Sequence, residues 1–164
     1  MKNYQIKLPN APTVILIIVS FLALDLLFLW IFQPSPKQIA EEVIGIPLDK
    51  SVKLISKEYE YYGLVGDGYR EIILEIPVEE SQKFLDKILQ SSQWQIVKSE
   101  QTKVDTCSPF HALPSFPGPF DYYLLVKCYD GDGLEVKGPQ SIQKFDIVIY
   151  YPQRRMLIIK ENWI

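Results

Sequence analysis

Residues Thr13 to Phe32 read TVILIIVSFLALDLLFLWIF, and 15 of these 20 positions are Leu, Ile, Val or Phe. At a rise of about 1.5 Å per residue, a helix of this length matches the roughly 30 Å hydrocarbon core of a bilayer. Each of those side chains favours insertion by about 0.3–0.6 kcal/mol, against a cost of roughly 2.5–3.5 kcal/mol for the single acid, Asp25. The sequence therefore predicts a transmembrane helix over 13–32. Pro12 suits a first helical turn, Pro34 and Pro36 cannot continue the helix, and Trp30 suits the membrane interface. A cleaved signal would have an apolar region of about 7–15 residues and a small-x-small cleavage site, and FQPSPKQIA offers none, so the expectation is an uncleaved signal-anchor. Lys2, Lys7 and the amino terminus precede the span, whereas Lys37 and Lys50 follow it. That bias places the amino terminus inside and residues 33–164 on the extracytoplasmic side of the cell membrane.

Asp25 lies near the middle of the run, where an ionisable group points to a contact with a partner helix or to proton handling; the alternative is a lone acid tolerated by greasy surroundings. Its helical neighbours Phe21, Leu22, Phe28 and Leu29 offer no charge, and there is no GxxxG, so any partner is another membrane protein.

The expected organisation is a flank (1–12), the span (13–32), a short juxtamembrane helix and linker (33–50), and one domain (51–164). About 130 residues beyond the span suffice for a single core. From residue 33 onward there are 15 basic and 19 acidic side chains, mixed along the chain, which leaves no cationic footprint for nucleic acid. Cys107 and Cys128 bracket a proline-rich stretch. In an oxidising compartment they would form one disulfide closing a loop of about 20 residues, worth roughly 3 kcal/mol; in the cytosol they would be two reduced thiols. With His111 they are too few for a four-ligand zinc site, and no cofactor is expected.

Ser35-Pro36-Lys37-Gln38 reads as a capping box, Ile39, Val43 and Ile44 form an apolar stripe, and Gly45 stops the helix. Val52–Tyr61 and Tyr69–Ile76 read as strands joined through Gly63–Gly68. A helix is expected over Val78–Ser91 with Phe84, Leu85, Ile88 and Leu89 as its buried stripe. Trp94 and Ile96 mark a short strand, and residues 99–120 hold Pro109, Pro114, Pro117 and Pro119 without periodicity. Tyr122–Tyr129 alternates, Asp130–Gly133 turns, and Phe145–Tyr150 and Met156–Trp163 form a closing hairpin about Pro152-Gln153. The fold class is α+β: about six antiparallel strands with one main helix on one face.

The Gly63-x-x-Gly66-Asp67-Gly68 hairpin, the amphipathic helix, the Trp94 strand and the closing FDIVIYYPQRRMLIIKENW hairpin resemble a group of small uncharacterised bacterial proteins, mostly from Firmicutes. The resemblance covers about residues 55–163, with gaps. Those proteins often carry Asp, Thr and His before the glycines, whereas this chain has Tyr59, Glu60 and Tyr61, so no role for that His carries over. The resemblance implies the fold and no activity.

Gly63–Gly68 lacks the lysine and hydroxyl of a phosphate loop and joins strands, which makes it a turn. Asp130, Asp132 and Glu135 resemble a fragment of a calcium loop without its full spacing. Cys107, Ser108 and His111 sit in the irregular proline-rich stretch, a poor setting for a nucleophile and its base. Glu58 with Glu60, and Glu71 with Glu75, share strand faces as solvated charges would. The expected function is a single-pass membrane protein whose small domain binds another envelope component without catalysis, with Phe110, Phe116 and Phe120 as the contact surface. Two rivals stand beside it: an accessory subunit of a membrane complex acting through Asp25, and a carboxylate- or calcium-dependent enzyme at Asp130–Glu135.

Overall fold

The computed structural model describes residues 11–31, 33–62, 67–98, 121–136 and 142–163. The chain divides into two compact units, Met1–Ser35 and Pro36–Ile164.

In the first unit, helix α1 (Ala11–Ile31) covers 21 residues, with Pro12 in the turn where its missing N–H breaks no bond. Ser20 Oγ donates to the Leu16 carbonyl at 2.9 Å, so that hydroxyl is satisfied within the helix. Every described side chain of α1, from Val14 to Asp25 and Leu27, is exposed. Among the described residues no helix is long and apolar enough to cross a membrane; in α1 the side chains at 11–13, 26 and 28–31, Trp30 among them, lie outside the described ones. The expected span thus has a helix beneath it, without a crossing among the described residues.

The second unit contains α2 (Pro36–Ile44), β1 (Lys53–Tyr62), β2 (Asp67–Glu75), α3 (Val78–Gln90), β3 (Gln95–Val97), β4 (Tyr122–Tyr129), β5 (Lys144–Tyr151) and β6 (Met156–Trp163). The strands form one antiparallel sheet in the order β1-β2-β6-β5-β4-β3. The class is α+β, as the alternation of the sequence predicts.

α2 buries Ile39, Ala40, Val43 and Ile44 and ends where Gly45 adopts a φ of +68°, a conformation that costs an L-residue energy. α3 carries Glu79 and Glu80 in its first turn and Lys87 in its last, both favourable to the helix dipole. Its buried face is narrower than the expected stripe. Phe84 and Ile88 are buried and Leu85 partly so, but Leu89 is 55% exposed because it stands about 100° of arc beyond Ile88.

One face of the sheet, including Ile72, Leu74, Leu125, Val148, Tyr150, Leu157 and Ile159, shares a core with α2 and α3. At its centre the fully buried Tyr150 meets Phe84 edge-on, with centroids 4.9 Å apart, and its hydroxyl lies 2.9 Å from Ser81 Oγ. The opposite face gathers Val97, Leu124, Cys128, Phe145, Ile147, Ile149, Tyr151 and Ile158 into a second core. β5 is therefore buried on both faces from Phe145 to Tyr151, where a helix on one face alone was expected. The sequence of β5 allows it, since apolar residues occupy both parities of a central strand.

The closing hairpin turns as expected. Arg154 N–H donates to the Tyr151 carbonyl at 3.2 Å across Pro152-Gln153, and Arg155 takes a φ of 56°.

Candidate functional site

Strand pairing, more than sequence proximity, builds a feature with the chemistry of a site among the described residues. Across adjacent strands the register sets Tyr59 opposite Arg70, Arg70 opposite Glu161, Glu161 opposite Asp146, and Asp146 opposite Lys127. One row on the helix-bearing face thus reads aromatic, cation, acid, acid, cation. The next row outward sets Gly68 opposite Trp163, Trp163 opposite Lys144, and Lys144 opposite Tyr129. Each member lies two residues from one in the first row, so both rows share a face.

Members of these rows line a cavity of about 530 Å³ together with Ile39, Glu42 and Val43 of α2 and with Asp130, Gly131, Gly133 and Gln143. That volume lies within the roughly 300–1,000 Å³ typical of small-ligand sites.

Within the cavity wall both acids are 1% exposed. Glu161 is well served: its Oε2 accepts from the Arg70 guanidinium, and Lys144 Nζ lies 3.1 Å from its Oε1. Asp146 is not. Lys144 Nζ lies 3.4 Å from Asp146 Oδ1, yet neither carboxylate oxygen has a partner in hydrogen-bond geometry. Burial, opposed by the Lys144 charge and reinforced by Glu161, pushes the Asp146 carboxyl up to about 6. Burial, and after it the Asp146 charge, also holds the Tyr129 phenol well above its ordinary range, so that hydroxyl stays a donor.

The cations are cradled by rings. Lys144 Nζ sits 5.0 Å from the Tyr129 centroid and 6.0 Å from that of Trp163, and Arg70 sits 5.3 Å from Trp163 and 5.9 Å from Tyr59. Such contacts add about 0.5–1 kcal/mol each at partly exposed sites. Lys127 turns the other way, donating from Nζ to the Val43 carbonyl at 2.7 Å, where a cation complements the end of α2.

Of the residues singled out from sequence, Asp130 contributes to this cavity, although its carboxylate is occupied in holding the turn. Its Oδ1 accepts from the N–H groups of Asp132 (3.0 Å) and Leu134 (2.9 Å). Glu135 lies in a bridge to Tyr129. Among the described residues no group of three or more His, Cys, Asp or Glu side chains is arranged to hold a metal. Glu71 accepts from Tyr69 (2.8 Å) and pairs with Lys160 (2.6 Å), and Glu75 pairs with Arg155 (3.0 Å), so these strand acids are spent on ion pairs. Asp25 is exposed on α1. Cys128 is buried and disulfide-bonded. Cys107, Ser108, His111, Phe110, Phe116 and Phe120, like Gly63–Gly66, lie outside the described residues.

The sequence reading missed Asp146, Glu161, Arg70, Lys144, Tyr129 and Trp163. A signal existed: Asp146 shares strand parity with Val148 and Tyr150, and Glu161 with Leu157 and Ile159, so each acid occupies an inward position. No protein family matches the chain, and no curated protein or solved structure matches it.

Proposed function

We propose that this chain is a single-pass membrane protein of the cell envelope whose small α+β domain is a non-catalytic binding module, with the cavity at Asp146 as its binding site. The observation that carries the anchor is α1: every described side chain from Val14 to Leu24 faces outward uncovered, and a helix apolar on all sides calls for lipid. The disulfide at Cys128 supports an oxidising, extracytoplasmic setting for the domain, with Cys107, the only other cysteine of the chain, as its partner. The resemblance to small Firmicutes proteins with a GxxGDG hairpin fits a bacterial envelope. Phe110, Phe116 and Phe120 remain the proposed contact surface for a second envelope protein.

The anchor is tested by alkaline carbonate extraction and by a reporter fused after Ile164. Retention in the membrane pellet with an extracytoplasmic reporter is expected; release into the supernatant, or a cytoplasmic reporter, defeats the reading.

Two other readings are separable. If Asp25 pairs with a basic residue of a multi-spanning subunit, Asp25→Leu abolishes co-purification and leaves the domain folded. A hydrolytic reading draws on the raised Asp146 carboxyl beside a second acid, a pattern that suits acid catalysis. It is disfavoured because both oxygens of Glu161 are engaged by Arg70 and Lys144, so the acid beside Asp146 is not available as its partner base.

A further inference from the structure

If the cavity is a binding site, on which this inference rests, its wall restricts the occupant. Asp146 offers two buried acceptor oxygens without hydrogen-bond partners, and a buried carboxylate in that state is costly until donors reach it. The occupant therefore brings donors. A cationic ligand could reach Asp146 only by passing Arg70 and displacing Lys144, whose ammonium already lies against both buried acids at 3.1 and 3.4 Å; of the other wall acids, Asp130 is occupied in its turn and Glu42 lies on α2, apart from Asp146. An anionic ligand would face Asp146 and Glu161, and the wall cations Arg70 and Lys144 are already engaged by those acids.

A neutral polyol meets neither obstacle. Vicinal hydroxyls can donate to the two Asp146 oxygens, their own oxygens can accept from Gln143, and the apolar face of a sugar ring suits the indole of Trp163. We propose that the cavity binds a neutral polyhydroxylated ligand, a sugar ring such as an envelope glycan presents, with Asp146 as the central acceptor and Trp163 as the stacking surface. Aromatic rings and planar polar side chains then act together, and the occupant adds no charge to the wall.

The experiment uses the full chain in phosphatidylcholine nanodiscs and saturation-transfer NMR. The probes are neutral sugars (glucose, galactose and N-acetylglucosamine), cationic glucosamine and anionic glucuronate. At least one neutral sugar is expected to bind, with glucosamine and glucuronate weaker. Asp146→Asn, which keeps the shape but replaces one acceptor with a donor, should weaken that binding roughly tenfold or more, the scale of a lost charged hydrogen bond. Trp163→Leu should weaken it too, with circular dichroism unchanged in both variants. Preference for glucosamine or glucuronate overturns the ligand class and leaves the binding module standing. Silence with every sugar, or binding indifferent to both substitutions, overturns the site. Failure of the chain to enter nanodiscs counts against the anchor alone, and the same titration in buffer then decides the cavity.

Discussion

Asp146 and Glu161 stand directly opposite each other in the β5–β6 register, each 1% exposed, yet only Glu161 is hydrogen-bonded. Two like charges on adjacent strands disfavour each other, and here Arg70 is committed to Glu161 while Lys144 lies between the two acids, 3.1 Å from Glu161 and 3.4 Å from Asp146. The remaining acid is a local cost that the rest of the fold sustains.

The first expectation concerns pH. The folded state holds the Asp146 proton up to about pH 6, against an ordinary value of 3.8, so the folded protein binds more protons than the unfolded chain between those limits. The contribution of this group is therefore full below that window and is lost as pH rises through it. The loss is at most about 3 kcal/mol, at about 1.4 kcal/mol per pH unit. Asp146→Asn should raise stability at pH 7 by about 1–3 kcal/mol and flatten the slope between about pH 4 and 6. Urea denaturation at several pH values measures both, and a destabilised variant would refute the assignment.

The Arg70–Glu161 pair should behave asymmetrically. Arg70→Met leaves Glu161 buried with Lys144 as its remaining cation and should cost about 3 kcal/mol, whereas Arg70→Met with Glu161→Leu should cost much less or nothing. A double-mutant cycle by chemical denaturation reads the coupling.

On α3, Ile88→Ala should destabilise by about 2–5 kcal/mol, because Ile88 is fully buried. Leu89→Lys should stay within about 0.5 kcal/mol. Equal effects would mean that the helix packs on a different face.

Gly45→Ala tests the end of α2. An added Cβ meets nothing within 4 Å, so the cost is conformational alone, about 1–2 kcal/mol for an L-residue at this φ, and Gly45→Asn should cost less. Thermal melts of the two variants separate strain from packing.

Reduction should also weaken the domain. On the chain-entropy account, opening a loop of about 20 residues between Cys107 and Cys128 costs roughly 3 kcal/mol, which melts with and without dithiothreitol would show.

The strands and hairpins were legible because their information is local: alternation in Phe145–Tyr150, Pro152 in its turn, and glycine and aspartate between β4 and β5. The extent of the α3 face was less so, since Leu85 and Leu89 have the same composition and differ only by their angle from the sheet. Burial of both faces of β5 depends on its central place, which the order β1-β2-β6-β5-β4-β3 fixes and no short window contains. The cavity was hidden for the same reason. Arg70 and Glu161 are 91 residues apart and meet only because β2 pairs with β6, so their chemistry is a property of the register. What could be read locally was each acid at an inward position.

The tie from Lys127 to the Val43 carbonyl gives the cavity a movable consequence. Ile39, Glu42 and Val43 are part of its wall, so the seating of α2 on the sheet and the filling of the space below it are linked equilibria. If the cavity binds a ligand as proposed and that ligand touches α2, a substitution that loosens the helix weakens the ligand by the same factor that the ligand steadies the helix. Lys127 is one of the ties that seat α2 over that space, beside the buried Ile39, Ala40, Val43 and Ile44.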